Sequence, residues 1–354
     1  VDTIKIRKPD DFHLHLRRGE VLRKVLSHTV GQFARALIMP NTKPGPILAA
    51  RHVSYYLTEI ISALDGFVIS DIVRNGQFKP LMTIQITEAT TPEMIFDAVK
   101  EGATAGKIYP QDVTTNSENG VVDYRLCYPA FGAMQGLDMV LSLHGELPGE
   151  MSAGIDKEVR FLHTLRMIAK DFPELRIVLE HITTKEAVRC IAEELPGTVA
   201  ATITVHHLFL TLDDVIGYSK ESKGKMQPHN FCKPVAKSRH DRAALREAVT
   251  SGNPKFFFGS DSAPHLKGTK ECASVCAGCF TAPVALPLLC QMFDYLGHLD
   301  RLEAFVSEFG AGFYKLPLNE GSICLARKQW TVPEECDGIV PFMAGQNIFW
   351  QIEA

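Results

Sequence analysis

At 354 residues, with 45% hydrophobic and 22% charged side chains, the chain is long enough to bury a large core and has the composition of a soluble globular protein. A net charge of -4 without a basic stripe excludes a nucleic-acid binder and leaves small molecules as the expected partners. Nine cysteines, odd in number and irregularly spaced, argue against a disulfide framework and for free thiols in a reducing, cytoplasmic setting.

The opening residues, Val1-Asp2-Thr3-Ile4-Lys5-Ile6-Arg7, lack the charged-then-apolar build of a signal peptide. Apolar, β-rich runs follow at 11–16, 34–40, 80–86, 105–109, 139–144, 176–181, 199–205 and 256–260, and each reads as a strand. Helical periodicity occupies 48–64, 92–101, 121–134, 157–170, 185–194 and 239–250 between them. Thr91-Pro92-Glu93 sets an N-cap, a first-turn proline and an acidic first turn in succession, and Thr184 is placed to cap the helix at 185. The most membrane-like run, 277–293, carries Pro283, Pro287 and Gln291, so it reads as a loop and a core-facing helix.

Eight strands alternating with helices predict an α/β fold, a closed (β/α)8 TIM-type barrel. Its core spans about 5–310 of a single domain, with a C-terminal extension over about 311–354. No linker divides the chain, and the residues beyond a minimal barrel fall at 111–120, 206–236, 263–279 and in the tail. Segment 111–120 is polar and rich in Thr, Asn and Ser, which suits a mobile loop over a site.

In such a barrel the chemistry sits at the C-terminal ends of the strands. The first run ends in His13, His15 and Arg17, the second in Asn41, the fourth in Lys107, the fifth in His144, the sixth in His181 and the eighth in Asp261. Two histidines one residue apart project from one face of a strand and make a ready pair of imidazole ligands. Each of the others, alone, has a plainer explanation: a rim histidine, a solvated lysine, an aspartate in a turn. Together, four histidines, an aspartate and a lysine at one mouth form a nitrogen and oxygen donor set suited to catalytic zinc. There are more ligands than one tetrahedral ion can use, which points to two metals. An ammonium is repelled by a metal cation, so Lys107 fits only if carbamylation turns it into a bridging anion.

The stretches Asp11-Phe12-His13-Leu14-His15-Leu16-Arg17, Met39-Pro40-Asn41, Gly106-Lys107-Ile108-Tyr109-Pro110, Leu143-His144-Gly145-Glu146, Glu180-His181-Ile182-Thr183-Thr184-Lys185 and Gly259-Ser260-Asp261-Ser262-Ala263-Pro264-His265 resemble the amidohydrolase superfamily. Within it the chain is most similar to the dihydroorotases of the single-function bacterial and fungal type, from Lys5 to about Gly345. The resemblance implies two Zn2+ ions per chain. His13, His15 and Asp261 would hold the more buried ion, His144 and His181 the more exposed one, and Lys107, as N6-carboxylysine, would bridge them together with a hydroxide.

The resemblance also implies that Arg17, Asn41 and His265 bind the substrate α-carboxylate and that the backbone of Ala277 touches substrate. Thr114 and Thr115 match the threonines of a mobile loop that closes over it. The implied activity is the reversible, zinc-dependent cyclisation of N-carbamoyl-L-aspartate to L-dihydroorotate in pyrimidine synthesis, with metal-bound hydroxide as nucleophile and Asp261 as proton shuttle. A homodimer is implied as well. One departure is Lys233, in Cys232-Lys233-Pro234, where bacterial relatives usually carry leucine. The family contact there is largely through backbone, so the substrate-binding role is expected to survive, with a positive charge added near the mouth.

A dihydropyrimidinase or hydantoinase would share the metals yet have no use for a carboxylate clamp of Arg17, Asn41 and His265. A non-catalytic barrel would have no use for the ligand set. Cys272, Cys276 and Cys279 invite a structural zinc, but their irregular spacing and missing fourth ligand favour free loop thiols. His206, His207 and His229 are expected to line the pocket or hold a loop.

Overall fold

The structure, a computed structural model, describes residues 2–65, 78–149, 153–220 and 222–353. After β1 (Thr3–Arg7) the chain enters a parallel sheet of eight strands: β2 (Asp10–Leu14), β3 (Arg35–Ile38), β4 (Lys79–Ile86), β5 (Ala103–Ile108), β6 (Val140–His144), β7 (Ile177–Glu180), β8 (Val199–Ile203) and β9 (Phe256–Phe258). Each pairs with the next in sequence order. The residues after β9 return to β2, where Asp261 N donates to His13 O at 2.9 Å and His15 N donates to Ser262 O at 3.1 Å. These bonds close the ring, and all eight expected runs are barrel strands.

A helix follows each strand: α1 (Gly19–Val30), α2 (Ala50–Asp65), α3 (Pro92–Lys100), α4 (Tyr128–Gly136), α5 (Lys157–Asp171), α6 (Lys185–Arg189), α7 (Arg239–Thr250) and α8 (Ala285–Tyr295). The caps are those the sequence offers. Thr91 Oγ1 accepts from Met94 N at 3.4 Å and Thr184 Oγ1 from Ala187 N at 3.2 Å. Two expected helices change character along their length. The segment at 121–134 opens as a 3-10 turn, Tyr124–Cys127, before Pro129 restarts it as α4, and 185–194 ends in a π turn, Cys190–Glu194. Among the described residues no helix is long and apolar enough to cross a membrane.

Inside the barrel one apolar side chain from each strand builds a layer: Phe12, Leu37, Leu81, Ala105, Val140, Val178, Ala200 and Phe257. Tyr314 from the tail joins it, stacking on Phe12 with ring centroids 4.7 Å apart. The C-terminal residues turn back to pair at the start of the chain, where β10 (Ser322–Ala326) lies antiparallel to β1. That layer sets the parity of everything above it. Side chains alternate with a period of two, so residues two and four positions beyond it project into the same interior, toward the C-terminal mouth. Among them are Asn41, Lys107, His144, Glu180, Thr202 and Asp261.

Candidate active site

Three histidines reach the interior by breaking that alternation. Pairing between β2 and β3 shifts register between Asp11 and Leu14, and this lets His13 and His15 share the interior with Phe12. His181 follows Val178 by three residues and adopts a left-handed backbone, φ 43°, which turns its ring inward. Arg17, φ 60°, and Asp261, φ 43°, are left-handed too. Such conformations persist where surrounding bonds over-determine them. Thr202 Oγ1 accepts from His181 N at 2.7 Å, and the backbone bond from Asp261 to His13 pins the other strand end.

The tightest cluster is His13, His15 and Asp261. Their Nε2, Nε2 and Oδ1 atoms lie 3.1–3.3 Å apart. Tetrahedral zinc with bonds of about 2.0–2.1 Å spaces its ligand atoms by about 3.3 Å, so the three atoms already stand at the corners of a metal site. His13 Nδ1 faces Glu180 Oε2 at 2.9 Å, and Thr202 Oγ1 donates to the same oxygen at 2.6 Å. Glu180 therefore fixes the tautomer that leaves His13 Nε2 free for a metal. Beneath, Asp11 Oδ1 accepts from His13 N at 3.1 Å and Ser260 N at 2.8 Å, and burial raises its carboxyl to about 7.

His144 and His181 face this trio across the mouth. The His181 ring lies 5.0 Å from that of His13 and 4.7 Å from that of His144. Glu146 Oε2 takes His144 Nε2 at 2.7 Å, so Nδ1 is the nitrogen left for a ligand role. Burial, reinforced by the neighbouring Arg17 and Lys107 charges at His15 and by His144 and Lys107 at His181, holds the His15 and His181 imidazoles well below their usual range, in the neutral form that ligates. Lys107 is fully buried and its Nζ has no hydrogen-bond partner; burial lowers it to about 8. A lone buried ammonium is costly, which is a reason to expect a chemically altered lysine.

The pocket above these groups is lined by His13, His15, Arg17, Asn41, Thr114, Thr115, His144, His181, Lys233, Asp261 and Ala277, together with Tyr109, Ala263 and Gly278. Of the residues singled out from sequence, Lys107 lies under its floor and His265 behind its wall. His265 Nε2 sits 3.0 Å from both Arg17 Nη2 and Ala277 O. Burial and the Arg17 charge push its imidazole down to about 2, so the neutral ring pairs with the guanidinium. Arg17 Nε donates to Pro264 O at 3.1 Å, which fixes the fork in place. The 111–120 segment is shut over the pocket: Asn41 Nδ2 donates to Thr115 O at 3.1 Å, Thr115 Oγ1 to Ala277 O at 3.3 Å, and the Lys233 ammonium to Val113 O. Lys233 thus holds the loop.

Several supporting groups were not among the expected residues. Glu180, Glu146 and Tyr109 stand in the quoted motifs without a role, and Glu158 lies in a helix with no motif around it. Glu158 is buried and accepts from the backbone N and the hydroxyl of both Thr183 and Thr184, at 2.6–3.0 Å. It ties α5 to the turn that carries His181. Each buried donor left without a partner costs about 1–3 kcal/mol, so Glu158→Ala is expected to lower stability by roughly 3 kcal/mol, read from its denaturation midpoint.

His207 holds a loop as expected, through Thr204 Oγ1 at 2.8 Å and Pro234 O at 3.0 Å, and His229 Nε2 pairs with Glu271 at 3.0 Å. His206 does neither: it is fully buried, outside the pocket, and neither ring nitrogen has a partner. Of the three loop thiols only Cys272 is exposed; Cys276 is half-buried, and Cys279 is buried beside Cys232 and His206.

No family model matches the chain. The dihydroorotase of Teredinibacter turnerae is 41% identical over 357 residues, covering 99% of both chains. The dihydroorotase of Saccharomyces cerevisiae, solved in complex with 5-fluoroorotic acid, superposes with a TM-score of 0.89 at 35% identity, over 100% of this chain and 99% of that one. The Campylobacter jejuni dihydroorotase gives 0.87 at 36% identity, over 99% and 98%.

The chain belongs to the dihydroorotase family. It is therefore a cyclic amidohydrolase, and the match at both levels runs through the whole barrel. In a dihydroorotase-family chain the His13, His15 and Asp261 group could hold a metal ion, consistent with zinc.

Proposed function

We propose that the chain interconverts N-carbamoyl-L-aspartate and L-dihydroorotate at a centre of two zinc ions. The reading rests on the 3.1–3.3 Å spacing of the His13, His15 and Asp261 donor atoms. His144, through Nδ1, and His181 would hold the second ion. Lys107, whose orphaned Nζ is buried between the two donor sets, would bridge both as a carbamate. Bound there, the metals supply Lewis acidity toward the ring carbonyl and acidify water.

The protein's own groups do the rest. In the hydrolytic direction Asp261 accepts the proton that water loses as its oxygen joins the ring carbonyl carbon. It returns that proton to the ring nitrogen as the amide C–N bond breaks, giving the terminal ureido NH2 of carbamoyl aspartate and a side-chain carboxylic acid that releases its proton to solvent. Arg17, seated by Pro264 O and His265, presents its fork to the substrate α-carboxylate, and Asn41 adds a donor beside it. The yeast relative was solved with 5-fluoroorotic acid, and a carboxylate of that kind is what such a clamp would take. The shut 111–120 loop excludes water and holds the ring in place. A homodimer belongs to the same reading, and light scattering of the purified chain measures it.

The deciding experiment compares dihydroorotate with unsubstituted dihydrouracil, with metal analysis of the same preparation. We expect about two zinc ions per chain, turnover of dihydroorotate alone, loss of activity with a chelator and its return with zinc. Turnover of dihydrouracil at a similar rate, or full activity without a transition metal, would overturn the reading. Arg17→Lys replaces a bidentate fork by a point charge. Losing one hydrogen bond to a charged group, worth about 1.5–3 kcal/mol, is expected to raise KM for dihydroorotate roughly tenfold to a hundredfold.

A further inference from the structure

We propose that His206, Cys232 and Cys279 form a separate site for a soft divalent cation of the zinc and cadmium class, behind the wall of the substrate pocket. One ligand atom from each lies within 4.8 Å of the other two, and all three residues are buried. The decisive member is His206. It is wholly enclosed, on the short helix Val205–Phe209, and neither ring nitrogen has a hydrogen-bond partner. A buried imidazole normally satisfies at least one nitrogen, and an ion is among the few things that can answer two thiols and an orphaned ring together.

The chemistry of the donors fits. Two thiolates and a divalent cation sum to zero charge, which a buried site tolerates, and the two thiol protons leave to solvent as the ion binds. Tetrahedral zinc, with bonds of about 2.3 Å to sulfur and about 2.0–2.1 Å to nitrogen, spaces such donors by about 3.5–3.8 Å, so side-chain shifts of about an ångström complete the set. The thiols hold only weak bonds at present. Cys232 Sγ is 3.4 Å from both Pro234 O and His207 Nε2, and Cys279 Sγ is 3.4 Å from His229 O. The Cys279 thiol and burial push the Cys232 thiol well above its usual range, and Lys270, anchored by the carbonyls of Phe231, Cys276 and Gly278 at 2.7–3.0 Å, offsets part of that with a nearby positive charge; the incoming cation supplies the rest.

The site touches function through its neighbours. Cys232 precedes Lys233 and Cys279 follows Gly278, both at the pocket wall, and Gly278 N already donates to Phe231 O at 2.9 Å. An ion on the two sulfurs would clamp these segments together. The catalytic donor set contains no thiolate, so a thiolate band cannot come from that centre, and cysteine variants separate this site from the other thiols.

The test is titration of the full, zinc-loaded chain with Cd2+, followed by thiolate-to-cadmium charge-transfer absorption in the ultraviolet. One equivalent should produce the band. The Cys232→Ser/Cys279→Ser variant should lose it, Cys272→Ser/Cys276→Ser should keep it, and His206→Asn should weaken cadmium binding by at least about tenfold. No band in the unaltered chain, or a band that survives the Cys232→Ser/Cys279→Ser change, would overturn the proposal. Should that variant fail to fold, cadmium-soaked crystals of the unaltered chain decide the matter. An anomalous peak between His206, Cys232 and Cys279 supports the site, and a cadmium-bound crystal without one rejects it.

Discussion

Lys107→Ala is expected to abolish most turnover, and small carboxylic acids are expected to restore part of it. The side chain is wholly enclosed among the two donor sets, its Nζ meets no acceptor, and the nearest charges that favour an ammonium are those of Glu180 and Asp261. Those carboxylates only partly offset burial, which lowers the amine to about 8. A loss of more than about a hundredfold is expected, because even groups that merely orient a metal ligand cost about 10–100-fold when removed. If Lys107 bridges as a carbamate, formate or acetate would enter the space left by its removal and supply the missing oxygens. Full activity of the variant without an additive would dismiss the bridge.

The same lysine gives a pH dependence with a definite sign. Only the neutral amine attacks carbon dioxide. Below the depressed pKa of about 8 the ammonium dominates, and above it the amine does. Capture of labelled bicarbonate by the metal-free protein should therefore rise as pH increases through about 8 and level off above it. Capture that falls with rising pH would contradict the assignment.

How far the sequence reveals this site depends on what each residue's signal is made of. The strands are legible because apolar runs with turn residues between them are local, and the polar residue that ends each run is then placed by the fold. Asn41, Lys107, His144 and Asp261 follow from that reasoning alone. His13 and His15 are legible as a pair, whereas the register shift that admits them beside Phe12 belongs to strand pairing. His181 stands at the wrong parity and comes inward through a left-handed backbone that no propensity marks. Buried carboxylates are the hardest to read, since Asp11, Glu158 and Glu180 look like solvated charges until the fold surrounds them with donors.

Long-range pairing is equally hidden. Nothing near Thr3–Arg7 announces a partner at Ser322–Ala326, because that contact is fixed by the barrel between them. Helix α1, absent from the expected elements, is a different case. Leu22, Val25, Leu26 and Val30 recur at helical spacing and all bury, but the preceding Arg17-Arg18-Gly19 reads as a loop. His206 departs from expectation most sharply. A histidine at a strand end was expected at the pocket or holding a loop, and instead it is sealed against two cysteines from loops 26 and 73 residues farther along.

Asp261→Asn should separate metal binding from proton transfer. The amide keeps the size of the carboxylate and an oxygen that can face His13 and His15, and the left-handed turn is held by backbone bonds, Asp261 N to His13 O and His15 N to Ser262 O, that the substitution leaves intact. What it removes is a proton acceptor at the strand end. General acid–base groups contribute about 10²–10⁴-fold, so a loss of that size is expected in kcat. Because one group takes the proton in hydrolysis and surrenders it in cyclisation, the loss must be the same in both directions. Zinc content measured beside turnover makes the distinction: retained metal with lost turnover supports a shuttle, and lost metal with lost turnover assigns Asp261 to ligation alone. Turnover retained in either direction would remove Asp261 from the reaction.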